Sequence, residues 1–428
     1  MRPRHCARIM TKSVVVVGGG LIGLTTALLM VDRGAEVTIV DSGSLGGGAA
    51  RGNAGFMCQT LIEPLAGPGA VKNAISSLND PTRALRLHAR ALPGMIGWGL
   101  HFAQSSTSKR YNEGRMSLGR LNRRGEEALE VLGKLGVDIA LGNQLVVPFH
   151  DPAVAADYLS RLAPMADLGV QLPSGLLDGD ELRRVVPALS DFVTSGYIVP
   201  NDRSIDPRVF VDSLIQTLRE RGVTCLENAP LISVGRMGRR VHSVTTKMGT
   251  VVCDEVLLCA GAGSRRLGRM FELRIPVIPG QGYNVGLPVD EGLNNPVIFE
   301  EAHAVATPFA DRIRLGGTME FDGLEPRFDQ RRVDAILQSL RRYLNLDFDG
   351  SFDTWAGSRP MTADGLPLMG RPGAYDNVVL GAGHGMFGLS LAPASAMALC
   401  ELIIDGSSSI DLSDFNPDRF RFPIRRSA

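Results

Sequence analysis

The chain has 428 residues, which at about 150 residues per domain predicts two to three domains and excludes a single small module. Apolar residues make up 44% and charged residues 21%, ordinary values for a globular chain, so a disordered or collagen-like chain is excluded. Lysine plus arginine (45) balances aspartate plus glutamate (45), so no global cationic field exists to hold a polyanion, and nucleic acid is not an expected partner.

Residues 1–9 are basic and patternless, and Met10 is an alternative start just before the first strand. Ser13 to Val31 is a run of 19 uncharged residues, long enough for a membrane span, but its centre is Gly18-Gly19-Gly20, which suits neither a span nor a signal sequence. It reads instead as a buried strand Ser13–Val17, a glycine turn and a helix from Leu21 to Arg33. A second strand, Glu36–Val40, ends at Asp41 and closes a βαβ unit, which implies a parallel sheet. Ser42 to Gly55 is too rich in glycine for a helix and reads as a loop. From about 68 to 190 the pattern turns mostly helical, with a long helix over Gly114 to Leu135 and another over Asp151 to Leu168. A helix over Phe210 to Arg221 follows, then strands at Leu231–Val234, Val241–Thr246 and Glu255–Cys259. Residues 276–355 alternate short strands with one helix over Arg332 to Leu344. A last strand, Asn377–Leu380, runs into a glycine-rich turn and a final helix toward Ile404.

The 50 glycines therefore concentrate at three strand ends far apart in sequence: Gly18 to Gly23, Gly261 to Gly263, and Gly381 to Gly388. In an open α/β sheet, ligands bind outside the carboxyl ends of the strands, so three such turns converging would make one long cofactor site. Gly18-x-Gly20-x-x-Gly23 after a strand, opening a helix that includes Leu21 and Ile22, fits a dinucleotide fingerprint. Asp41, 18 residues after Gly23, is placed to accept from ribose hydroxyls, with Ser42 beside it. The glycine pattern alone does not separate NAD from FAD. The six cysteines (6, 58, 225, 253, 259, 400) show no C-x-x-C pair, so neither a disulfide framework nor a metal site is expected, and a reducing cytoplasm fits best.

The tail, Trp355-Ala-Gly-Ser-Arg-Pro-Met-Thr-Ala-Asp-Gly-Leu-Pro-Leu-Met-Gly370 with Val378-Val-Leu-Gly-Ala-Gly-His-Gly-Met-Phe-Gly-Leu-Ser-Leu-Ala-Pro393, resembles the C-terminal signature of the D-amino-acid oxidase superfamily of FAD enzymes. Within it the chain is most similar to the D-amino-acid dehydrogenase small subunit and D-hydroxyproline dehydrogenases, and less so to glycine oxidase. Arg51-Gly-Asn-Ala-Gly-Phe56, Cys259-Ala-Gly-Ala-Gly-Ser264 and Arg314-Leu-Gly-Gly-Thr318 extend the match over roughly residues 10 to 406.

The resemblance implies an α/β fold: a Rossmann-type, glutathione-reductase-like FAD domain, discontinuous over 10–90, 205–270 and 350–428, with a second α+β substrate domain over 91–204 and 271–349. It implies FAD as cofactor, met by Arg51, Asn53, Ala54, Gly55, Leu231, Ala260, Gly261, Gly385, Met386, Phe387, Gly388 and Leu389 in addition to the fingerprint residues. It places Arg359 on the substrate carboxylate, for which a planar guanidinium is suited, and sets Tyr283 to reach the same group. His384 reads as a packing residue rather than a base. The implied reaction is oxidation of a D-amino acid or cyclic imino acid, such as D-proline or hydroxy-D-proline, by hydride transfer from the α-carbon to flavin N5. The electron acceptor is left open between a quinone, a carrier protein and O2, the last corresponding to a glycine or sarcosine oxidase. Peripheral association with the inner face of the membrane is compatible with the first.

Overall fold

The computed structural model describes residues 11–78, 80, 83–323, 327–349 and 353–420. The expected alternative start at Met10 lies outside them. The run without charges folds as read: strand β1 (Ser13–Val17), helix α1 (Leu21–Asp32) and strand β2 (Glu36–Val40), with β1 and β2 parallel in the register Val14 to Val37. Helix α1 is apolar on nearly every face because it is covered on every side, lying on the sheet and packing against helices Pro207–Glu220 and Gly388–Ile404.

The sheet has six strands in the order Leu368–Gly370, Val378–Ala382, Glu255–Leu258, β1, β2, Thr224–Leu226. All neighbours are parallel except the first pair. Four of these strands thus deliver their carboxyl ends to one edge, where the turns at 18–20, 41–44, 259–263 and 383–388 meet. The terminal helix is long and apolar enough to cross a membrane by composition, yet it is buried against α1 and helices Ser108–Asn122 and Gly125–Lys134.

A second sheet of ten strands runs in the order Asp353–Met361, Ile278–Leu287, Ile313–Phe321, Ala304–Pro308, Val297–Phe299, Leu141–Phe149, Ser195–Ile205, Phe56–Met57, with Leu85–Leu87 and Leu177–Asp178 pairing off this path. Strands Phe56–Met57, Leu85–Leu87 and Asp353–Met361 belong to this sheet by pairing, although their sequence positions fall in stretches expected in the cofactor domain. Asp202, fully buried on Ser195–Ile205, accepts from the N–H groups of Gln59 (2.8 Å), Thr60 (2.9 Å) and Leu61 (3.1 Å), so the chain leaving the first unit is clamped to the second.

Two expectations about elements are corrected. The long helix over 114–135 is broken at Arg123–Arg124 into Ser108–Asn122 and Gly125–Lys134, and the break turns Asn122 inward to donate to the Cys58 carbonyl at 2.8 Å. The stretch from 68 to 190 is not helical throughout: Leu141–Phe149 is a central strand, its Leu145-Val-Val147 run fully buried against Ser195–Ile205. A short apolar run does not distinguish a buried strand from a helix segment, and tertiary pairing decided it.

Candidate active site

One cavity of about 2250 Å³ runs from the edge of the parallel sheet to the face of the ten-stranded sheet. That volume exceeds what an amino acid fills and suits a dinucleotide with a small substrate at its end. Gly18, Gly20, Leu21 and Ile22 line it at one end, and a Cβ on Gly20 would meet nothing within 4 Å, leaving the backbone open to a phosphate at the helix N-terminus. Gly18 takes φ +116°, a left-handed value suited to glycine. Gly23 stands off the cavity: its Cβ would fall 2.0 Å from the Gly18 carbonyl oxygen, so it is the residue that lets helix pack on strand.

Asp41 and Ser42 line the same end. Asp41 accepts from the Gly19 N–H (2.7 Å, Oδ2) and the Gly43 N–H (2.8 Å, Oδ1), which sets the glycine turn and leaves further lone pairs for hydroxyls. Leu231, Ala260 and Gly261 complete this half. The thiol of Cys259 beneath them is buried, and burial pushes it up, away from thiolate.

Gly385, Met386, Phe387, Gly388 and Leu389 line the other half. Gly385 takes φ +56°, and the turn it makes leads into helix Gly388–Ile404, whose first-turn N–H groups have no intrahelical acceptor. His384 is buried with Nε2 3.1 Å from the side-chain Oγ of Ser395, and burial lowers it to about 3, so it is neutral near pH 7.

Asn53 and Ala54 line the cavity. The Asn53 Oδ1 accepts from the Gly55 N–H at 2.8 Å, so the side chain builds its own turn. Besides Gly23, two expected cofactor residues lie off the cavity. Arg51 folds back beneath the 42–48 loop, where the bare Cα of Gly46 leaves room, and pairs with Asp212 at 2.5 Å. Gly55, at φ +92°, packs on Ile205 and Phe309 instead of the cavity.

The turn is tied to the ten-stranded sheet by two residues whose roles were not read from sequence. Arg314, nearly fully buried, donates to the carbonyls of Arg51 (3.1 Å) and Asn53, and Asn284 donates to the Gly52 carbonyl at 2.7 Å. Arg314 sits in the Arg314-Leu-Gly-Gly-Thr318 segment, but a buried arginine that caps a distant loop leaves no local spacing signal. Trp355 was missed likewise: its indole would lie within 2.4 Å of a Cβ on Gly52 and 2.0 Å of one on Gly357, so these glycines make its slot.

Arg359 reaches the cavity from strand Asp353–Met361. Its guanidinium crosses Gly282, where a Cβ would fall 2.0 Å from Nη1, and donates to the Thr318 carbonyl at 3.2 Å. Among the described residues no carboxylate pairs with it, and burial lowers it to about 10, still a cation near pH 7. Thr318 itself holds φ +52°, uncommon for a residue with a Cβ, at the bulge opposite Gly282 and Tyr283.

Tyr283 does not join Arg359, a correction to the sequence reading. The register sets Tyr283 opposite Ala356, three residues from Arg359, so the two side chains leave the sheet by opposite faces. The Tyr283 hydroxyl donates to Glu320 and accepts from Gln281 Nε2 (2.7 Å) and the Asp329 N–H (3.3 Å), within a buried polar network that includes Arg86 and Arg332.

Strand-end glycine turns closing on one cavity, with a guanidinium at its far end that has no carboxylate partner among the described residues, form a site shaped for a dinucleotide cofactor with room for a small second ligand. The chain belongs to the family described as FAD-dependent oxidoreductases, whose model matches residues 13–402. It is therefore an oxidoreductase and FAD is its cofactor. It is 27% identical over 420 residues to a D-amino acid dehydrogenase of Vibrio atlanticus, covering 95% of this chain and 99% of that one. To a D-amino acid dehydrogenase of Sinorhizobium medicae it is 29% identical over 419 residues, with 95% and 99% covered. Its fold matches L-proline dehydrogenase from P. horikoshii (TM-score 0.72, 20% identity, 96% and 98% covered) and glycine oxidase from Geobacillus kaustophilus (TM-score 0.72, 21% identity, 96% and 99% covered).

Asp41→Ala is expected to lower FAD occupancy after extensive dialysis. It removes the acceptor that sets Gly19 and Gly43 as well as charge-assisted bonds to ribose, each worth about 1.5–3 kcal/mol. Occupancy equal to the parent would assign Asp41 to the turn alone.

Proposed function

We propose that the enzyme oxidises the α-carbon of a D-amino acid or cyclic imino acid, D-proline and hydroxy-D-proline included, to an imine that water hydrolyses. The observation that carries this reading is Arg359, a cation in the cavity with no anionic partner among the described residues and a groove cleared for it by Gly282. The names of the curated relatives supply the substrate class. FAD, when bound, supplies the two-electron oxidant.

In this reading the residues divide the work between the two ends of the cavity. The fingerprint glycines and Asp41 hold the dinucleotide, while Asn53, Ala54 and the turn Gly385–Leu389 border its reactive end. N–H groups at the start of helix Gly388–Ile404 stabilise negative charge gained there. Arg359 takes the substrate carboxylate through two of its guanidinium nitrogens and so orients the α-C–H bond. Tyr283, on the other face, supports the strand instead of touching substrate, and His384 takes no proton. The segments 10–90, 205–270 and 350–428 remain the proposed cofactor domain, with the three strands paired into the second sheet forming the seam between the domains.

A dehydrogenase passing electrons to a membrane quinone is favoured over an O2-using oxidase by helix Leu92–Ser105. Leu92 (41%), Ile96 (65%) and Leu100 (55%) stand exposed at four-residue spacing, and Arg265 donates to the Gly94 carbonyl at 3.5 Å beside them. An apolar stripe with adjacent arginine suits the surface of an anionic bilayer, which would place the protein at the cytoplasmic face of the membrane. Trp98 of this helix donates to the Met361 carbonyl at 3.3 Å, on the strand that carries Arg359. The double change Ile96→Glu with Leu100→Glu is expected to abolish co-sedimentation with vesicles of anionic lipid while leaving flavin content intact. Binding that survives it would remove this surface from the account.

Arg359→Lys keeps the charge and loses the fork. With D-amino acids read as anaerobic flavin bleaching, KM is expected to rise and the rate of reduction to fall, together costing about 1.5–3 kcal/mol in kcat/KM, with the flavin spectrum unchanged. An amine without a carboxylate should be a poor substrate of the parent and lose little further. Loss of flavin with unchanged KM would make Arg359 structural.

A further inference from the structure

At the ten-stranded sheet, the turn joining strands Val297–Phe299 and Ala304–Pro308 carries Glu300 into the cavity. Tyr158, Tyr197, Glu63 and Arg161 line the same end. The other charges there are matched. Arg161 pairs with Asp157 and lies 4.7 Å from the centroid of the Tyr158 ring, while Arg115 donates to Glu63 (3.4 Å) and to the Arg161 carbonyl. Asp202, on the strand of Tyr197, is held by three backbone N–H groups. Glu301 points away, accepting from the N–H groups of His150 (2.6 Å) and Asp151 (3.2 Å). The Glu300 carbonyl accepts from the His303 N–H (3.2 Å), but its carboxylate, alone among these acidic groups, has no hydrogen-bond or ion-pair partner among the described residues. Arg115 is matched by Glu63 and Arg161 by Asp157, and Asp202 is taken up by backbone N–H groups, so the Glu300 carboxylate is left without a cation.

We propose that Glu300, with Tyr158 and Tyr197, is the pocket for the substrate's side chain and selects an α-amino acid whose side chain ends in a cation. This rests on the reading that Arg359 grips the α-carboxylate. Thr318, whose carbonyl receives Arg359, lies two strands from the strand that ends at Glu300, a span of roughly 10 Å at ordinary strand spacing. A side chain of three or four carbons ending in an ammonium or guanidinium, with a hydrogen bond at each end of the molecule, covers that span. The cation would meet a carboxylate and the faces or hydroxyls of two tyrosines. An uncharged side chain would leave Glu300 desolvated without a partner. Burial, with Glu63 adding to it, pushes its carboxyl up to about 7, while Arg161 opposes.

The test compares D-lysine with D-norleucine, nearly the same shape without the charge, as anaerobic reductants of the holoenzyme, with D-alanine and D-proline alongside. The ratio of kcat/KM for D-lysine over D-norleucine is expected to exceed one in the parent and to rise as pH passes upward through about 7, where Glu300 gains its charge and the lysine ammonium keeps its own. In Glu300→Gln the ratio should fall roughly 10- to 100-fold and lose its pH dependence. A merely structural role would lower both substrates together and leave the ratio alone. A parent ratio at or below one, or a ratio unmoved by Glu300→Gln, overturns the pocket while D-alanine or D-proline still bleaches the flavin. If no D-amino acid bleaches it, the reaction itself is wrong and the pocket falls with it. Should Glu300→Gln not fold, the parent's ratio and its trend with pH decide.

Discussion

The guanidinium of Arg359 is half-buried in the cavity wall with no carboxylate beside it among the described residues, and a charge drawn partly out of water without a partner costs free energy unless something compensates it. A single carbonyl bond to Thr318 is partial compensation. The surroundings are built to hold this group nonetheless: Gly282 supplies the groove, Gly357 keeps Trp355 beside it, and the bulge at Thr318 accepts a left-handed backbone to turn its carbonyl toward the cation. Such a backbone costs about 1–3 kcal/mol and persists where the surrounding structure imposes it. A site that keeps a partly desolvated cation fixed at a cavity wall has affinity in reserve for an anion of matching shape.

That cation matters only because the end of the cofactor cavity is brought to it. The Gly52–Gly55 turn, which leaves the parallel sheet, is bound to the second sheet by Arg314 and Asn284, and Asp202 clamps the segment that follows. These polar contacts hold one wall of the cavity against the second sheet, while strand Asp353–Met361, which carries Arg359, packs directly on the turn at Gly385, with Met361 3.7 Å from where a Cβ on Gly385 would lie.

What the sequence made legible was local. The run Ser13–Val40 with Gly18, Gly20, Gly23 and Asp41 reads as a βαβ cofactor unit because every feature of it lies within thirty residues, and the glycines at 261 and 385 mark strand ends by the same logic. Arg359 was singled out through the motif around it, and the structure places it in the cavity wall. What failed depended on register between distant strands. Tyr283 and Arg359 lie on neighbouring strands, and only the pairing of Tyr283 with Ala356 reveals that they face apart. Arg51 was misplaced because its partner, Asp212, is on a helix far along the chain. Leu141–Phe149 was hidden within a helical stretch because its strand character comes from Ser195–Ile205, and Glu300 carries no pattern of its own around it.

A crystal structure of the FAD-loaded enzyme with a short, unreactive carboxylate is predicted to show both carboxylate oxygens on the guanidinium of Arg359, over Gly282, with the Tyr283 hydroxyl still on Glu320. A carboxylate held by Tyr283 or by another arginine, with Arg359 untouched, would contradict it.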